Sequence, residues 1–190
     1  MQERVTFVFK GERDYVQGTS VFSAVVSALQ TAGIAGGELD ISFRKMLRSP
    51  AAILERRNPT PEDAVVARIS CPDGDPFHIC VNDAPEAPPP VRQAYDEAEI
   101  CKGAVLKGKS IVQHACHHDD GIELLVSLCK KMHLECISSD KKWLFARYVG
   151  AFPLPPISDA EIRIVKQLGT RLTCSDVLAN GNRIGDMYFS

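Results

Sequence analysis

Gln113–Leu125 reads QHACHHDDGIELL: three histidines, a cysteine and two aspartates that run straight into a helical pattern. Just before it, Ser110–Ala115 (SIVQHA) has the composition of a strand. Just after it, Ile122, Leu125, Leu128, Cys129 and Met132 recur at the spacing of one helix face, and Asp119 or Asp120 stands where an N-cap belongs. The expectation is a strand, a capped turn and an amphipathic helix, in that order.

The chain opens on the same order. Val5–Lys10 (VTFVFK) alternates like a strand and Gly11–Asp14 turns the chain. Thr19 or Ser20 can cap a helix that faces Val21, Phe22, Val25, Val26 and Leu29 inward, with Gly33, Gly36 and Gly37 ending it. Strands are then expected at Leu39–Met46, Ala51–Glu55, Ala64–Cys71 and Phe77–Asn82, the last two joined by the turn Pro72-Asp73-Gly74-Asp75. Thr60–Asp63 reads as either a helix start or a loop. The proline-rich Ala84–Pro90 is a stiff connector, with a short helix at Tyr95–Cys101 beyond it. After the second helix come a strand at Trp143–Val149 and a turn at Pro153–Pro156. Ser158-Asp159-Ala160-Glu161 has the form of a capping box, predicting a helix through Leu168. Arg171–Leu178 and Arg183–Phe189 read as a hairpin across Asn180-Gly181.

One offset lays the second half over the first. Gly18 and Gly121, Arg44 and Arg147, and Pro50 and Pro153 are each 103 apart, as are Arg68-Ile69-Ser70-Cys71 and Arg171-Leu172-Thr173-Cys174. Gly74 and Gly181 are 107 apart, so the final hairpins match after four extra residues. The fold class expected is α+β, an internally duplicated strand–helix–strands unit with an antiparallel sheet covered by a helix. Residues 1–83 form the first repeat, 84–104 the connector and 105–190 the second repeat, packed as one globular unit. This element order resembles the hotdog fold, and two fused copies resemble a double hotdog. A duplicated ferredoxin-like or other α+β sandwich is the alternative.

Composition narrows the function. The chain has 190 residues, 45% hydrophobic and 24% charged, with net charge −2 and a pI near 6.2. No basic surface for nucleic acid or an anionic membrane follows from that balance. The charged start MQERVTFVFKGERD is unlike a signal peptide, and no apolar run reaches membrane-spanning length. Seven cysteines without a CxxC pair suit reduced thiols, so a soluble cytoplasmic protein is expected. P-loop, dinucleotide, HExxH and GxSxG signatures are absent from the sequence.

The histidine-rich stretch carries the candidate chemistry. A histidine beside a carboxylate at a helix start suits acid–base work, and free N–H groups there suit a developing oxyanion. The hotdog resemblance implies an acyl-thioester dehydratase or thioesterase with its site where the two repeats meet. Carried onto these residues, it implies His117 or His118 as general base or acid and Asp119 or Asp120 as the orienting carboxylate. Gly121, Arg44, Arg147 and Trp143 are candidates for holding a small-molecule or carrier-bound substrate. A second reading uses His114, Cys116 and His118 as ligands of zinc or another divalent ion. Same-face residues on a strand lie about 6.6 Å apart, so that set needs a bend. A third reading is a non-catalytic binding or assembly protein whose repeat faces make a homodimer.

Overall fold

Apolar alternation becomes a strand only where neighbours take its backbone groups, and those neighbours decide several elements here. The computed structural model describes residues 2–70, 76–86, 88–138 and 142–190. The chain divides into two compact units, one up to Asp96 and one from Glu97.

The first unit runs β1 (Gln2–Thr6), β2 (Phe9–Lys10), α1 (Gly18–Thr31), β3 (Gly37–Phe43), β4 (Ala51–Arg56), β5 (Val65–Ser70), β6 (Phe77–Asp83) and β7 (Arg92–Gln93). The expected Val5–Lys10 strand is split: β1 pairs antiparallel with β4, while β2 pairs parallel with β7. The sheet order is β1-β4-β6-β5-β3, antiparallel throughout. Val21, Phe22, Val25 and Leu29 of α1 are buried as their spacing predicts. Its N-cap is Gln17, not Thr19 or Ser20, and no side chain closes that cap. The proline-rich stretch begins against this unit, with Ala84 N donating to Ala51 O and Arg4 donating to the carbonyls of Pro85 and Glu86.

β4 and β5 are each antiparallel to β6, so the connection between them must pass β6. Thr60–Asp63 lies in that connection and forms a loop rather than a helix. Asp63, 1% exposed, ties it down. Its Oδ2 accepts from Thr60 N at 2.6 Å, Thr60 Oγ1 at 3.1 Å and Arg57 Nη1 at 2.9 Å. Its Oδ1 accepts from Asn82 Nδ2 at 2.8 Å and from Arg57 Nη2. Arg57 first, then the Thr60 and Asn82 donors, hold this carboxyl well below the usual carboxylate range against the opposing pull of burial.

The second unit runs α2 (Glu97–Ile100), β8 (Val105–Lys107), β9 (Ser110–Gln113), α3 (Gly121–Cys136), β10 (Phe145–Phe152), β11 (Ala160–Leu168), β12 (Leu172–Ala179) and β13 (Asn182–Phe189). Its sheet order is β8-β9-β11-β12-β13-β10. Ile122, Leu124, Leu125, Leu128, Cys129 and Met132 bury one face of α3 on this sheet.

β11 corrects the helix expected from Ser158 through Leu168. The amides of Ser158 and Asp159 both donate to Asn180 Oδ1 at 3.0 Å. β9 and β12 pair with β11 on either side, and Ala160 and Ile162 alternate into the core. The Asn180-Gly181 hairpin stands as expected, with φ of 52° and 80°.

In the first unit β1 and β2 precede α1 and β3 to β7 follow it; in the second α2, β8 and β9 precede α3 and β10 to β13 follow it, and Gly18 and Gly121 begin the two long helices. The common offset does not hold in the sheets. β5 lies between β6 and β3, whereas β12 lies between β11 and β13. Arg44 falls one residue past β3 while Arg147 lies within β10, so the two are not equivalent strand positions. Cys71, Gly74 and the Pro72–Asp75 turn lie outside the described residues.

Candidate active site

The loop between β9 and α3 carries the cluster. β9 ends at Gln113, and Ala115 has φ of 50°. That left-handed residue breaks the alternation, so His114 is exposed while Cys116 is buried. Cys116 N donates to Ser158 O at 2.8 Å and its Sγ to Gln113 O at 3.3 Å. Burial pushes this thiol up, away from thiolate chemistry. His114 Nδ1 meets Asp159 Oδ1 at 2.7 Å, a largely exposed pair. The His114 contact is the main cause holding the Asp159 carboxyl below its ordinary value.

His118 faces α3. Its Nε2 lies 3.0 Å from Glu123 Oε2, with the two side chains 30% and 10% exposed. Glu123 is in the first helical turn, and its own amide donates to the N-cap side chain of Asp120 at 3.1 Å. Asp120 therefore caps the helix, and the carboxylate at the imidazole is Glu123 rather than Asp119 or Asp120. His117 and Asp119 are exposed, with no polar partner among the described residues. Ile157 packs close on Gly121: a Cβ there would sit 3.2 Å from Ile157 Cδ1. An α-helix leaves its first N–H groups without an acceptor one turn back. Since Asp120 takes that of Glu123, those of Gly121 and Ile122 stand at the positive end of the helix dipole.

The metal set His114, Cys116 and His118 is not assembled: these residues turn to Asp159, Gln113 and Glu123 respectively. Among the described residues no group of three or more His, Cys, Asp or Glu side chains is placed to hold a metal ion. Arg44 is in the first unit, donating to Thr60 O at 3.0 Å. Arg147 lies over the Tyr188 ring, 5.6 Å from its centroid. Trp143 is in the core beside the last turns of α3, not at its N-terminus. There it meets His133, with ring centroids 4.7 Å apart.

Sequence reasoning missed Glu123, Asp159 and Asn180. The Asp120-x-x-Glu123 capping-box spacing was the available signal for the first. It also missed His133, which is wholly buried and stacked on Phe189. His133 Nδ1 reaches Cys129 O at 2.6 Å and Nε2 reaches Thr173 Oγ1 at 2.5 Å. A carbonyl only accepts, so Nδ1 carries a proton, and burial lowers the pKa of the ring.

No known family profile matches the sequence, and neither does any curated protein. Solved structures do match in shape. A protein of Thermobifida fusca YX described as a thioesterase II superposes with a TM-score of 0.53 at 10% identity, covering 99% of this chain and 90% of that one. An erythromycin dehydratase gives 0.51 at 11% identity over 92% and 80% of the two chains. The tesB protein of Mycobacterium avium subs paratuberculosis gives 0.51 at 8% identity over 100% and 93%. The fold is a hotdog. In hotdog terms, α3 is the helix laid on the antiparallel sheet of the second unit, and the His118–Glu123 pair sits at its first turn. No helix among the described residues is long and apolar enough to cross a membrane.

Proposed function

We propose that this hotdog chain is an acyl-thioester enzyme, of hydrolase or lyase type, that works at the α3 N-terminus with His118 as its acid–base group. The observation that carries this reading is the 3.0 Å contact between His118 Nε2 and the 10% exposed Glu123 carboxylate. The matched structures add support, since they are described as a thioesterase II, a dehydratase and a tesB protein. The substrate class is a small-molecule or carrier-bound acyl thioester.

With Glu123 accepting the Nε2 proton, the neutral imidazole keeps its lone pair on Nδ1. In hydrolysis, Nδ1 takes a proton from water as the water oxygen attacks the thioester carbonyl carbon. The carbonyl electron pair moves to oxygen, where the Gly121 and Ile122 N–H groups stabilise it. The imidazolium then returns the proton to sulfur as the C–S bond breaks, releasing acid and thiol. In a lyase reaction on a 3-hydroxyacyl thioester, the same nitrogen removes a Cα proton. The Cα–H electron pair forms the Cα=Cβ bond as the Cβ–O bond breaks, and the hydroxyl takes the imidazolium proton and leaves as water. The two long helices that begin on Gly18 and Gly121, 103 residues apart, also support descent from one ancestral unit.

The test is turnover of an acyl-CoA and acyl-carrier panel, reading thiol release and enoyl absorbance. His118→Gln and Glu123→Gln are expected to lower kcat by about 10²–10⁴ with the fold intact. Undiminished turnover in both variants refutes the assignment.

A further inference from the structure

We infer that Asn180, at the tip of the β12–β13 hairpin, is the positioning residue for the histidine loop in front of α3. The inference rests on the catalytic reading above only for its effect on turnover; its structural half stands apart from that reading. Asn180 is held by hydrogen bonds on every side. Its Oδ1 accepts from Ser158 N at 3.0 Å, Ser158 Oγ at 2.8 Å and Asp159 N at 3.0 Å. Its Nδ2 donates to Pro156 O at 2.8 Å, and its backbone N donates to Asp159 O at 2.8 Å. A two-residue turn needs far fewer bonds than this to reverse the chain, so most of them serve the 156–159 segment.

That segment in turn holds the histidine loop. Ser158 O accepts from Cys116 N, and Asp159 Oδ1 meets His114 Nδ1. Ile157 closes against Gly121 at the helix start. His114 and Cys116, on either side of Ala115, are therefore fixed to a template that Asn180 fixes. His117 and His118 follow directly, before the helix takes over at Gly121. Ala115 sits in the left-handed region, a conformation an alanine keeps only where its surroundings hold it. Releasing the template frees Ala115 to relax and moves the His118 backbone away from Glu123.

Asn180→Gly is the clean variant, because glycine accepts the φ of 52° and keeps the hairpin while deleting the side chain. Asn180→Asp keeps the acceptor that binds Ser158 and Asp159 and tolerates the same backbone. Carboxyl-carbon NMR titration of Asp159 is the first readout. In Asn180→Gly the Asp159 carboxyl is expected to titrate higher, towards an ordinary aspartate, as its His114 contact loosens. In Asn180→Asp, the His114 Nδ1 signal in ring-nitrogen spectra is expected to keep its hydrogen-bonded position. Turnover is the second readout: kcat is expected to fall about 10²-fold in Asn180→Gly, as for a displaced catalytic group, with KM little changed and most of kcat restored in Asn180→Asp. An Asp159 titration in Asn180→Gly that overlays the wild type overturns the proposal, whatever happens to turnover. An intact chain that turns over no thioester sinks the catalytic reading alone, since the Asp159 titration still decides the role of Asn180.

Discussion

Replacing Asp63 by Asn leaves shape and volume nearly unchanged and removes one charge, so the effect can be traced bond by bond. The best Asn rotamer puts its oxygen where Oδ2 was, keeping the bonds from Thr60 N, Thr60 Oγ1 and Arg57 Nη1. Its NH2 then occupies the Oδ1 position and faces two donors, Asn82 Nδ2 and Arg57 Nη2. Two bonds are lost, two donors are left opposed, and Arg57 loses its enclosed partner. Removing one member of a buried ion pair costs about 3–5 kcal/mol. Arg57 is 32% exposed and keeps Glu55 at 2.9 Å, which places this case at the lower end, about 3 kcal/mol. For a chain of this size that is roughly a 10 °C fall in midpoint. The folded carboxyl titrates below its unfolded value of about 3.9. Its contribution is therefore fully present above pH 3.9 and is lost as pH falls towards the folded pKa. Thermal melts of wild type and Asp63→Asn between pH 7 and pH 3 check both size and sign. Equal midpoints at pH 7, or a gap that fails to narrow in acid, refute the reasoning.

His133 titrates with the same sign at a different pH. Its folded pKa lies below the unfolded value near 6.5, so its contribution is present above pH 6.5 and is lost as pH falls below it, by up to about 1.4 kcal/mol per pH unit. The difference in stability between wild type and His133→Phe, measured by urea unfolding from pH 8 to pH 5, should carry that slope. Gly150 and Gly185 face each other across β10 and β13, and a Cβ on Gly150 would sit 2.3 Å from Ile184 O and 2.6 Å from Tyr148 Oη. Gly150→Ala is expected to cost about 1–3 kcal/mol, read as a lowered denaturant midpoint with an unchanged m-value.

Local chemistry made much of the fold legible. α3 buries the residues its spacing predicts, Asp120 caps it, and Asn180-Gly181 turns the last hairpin. Each of these depends on residues within a turn or two of one another. β11 was not legible, because the strands that pair with it on either side, β9 and β12, lie outside the Ser158–Glu161 window. Ser158-Asp159-Ala160-Glu161 has every local mark of a helix start, and pairing with β9 and β12 overrides it. At the candidate site, the His118 position was legible but its carboxylate was not. Asp119 and Asp120 are adjacent in sequence, yet entry into the helix turns Glu123, five residues on, towards the imidazole. The common offset of 103 located the two helix starts. It failed in the sheets because likeness at a few positions says nothing of which neighbours a strand will choose.

The placing of β6 has a consequence for the newborn chain. Among the described residues, the β1-β4-β6-β5-β3 sheet without β6 falls into two separate ribbons, β1 with β4 and β3 with β5, because β6 joins β4 to β5. A two-stranded ribbon is marginal in water. A nascent polypeptide that ends before Phe77 therefore has nothing to close, and the sheet locks when its keystone slides in from the ribosome last.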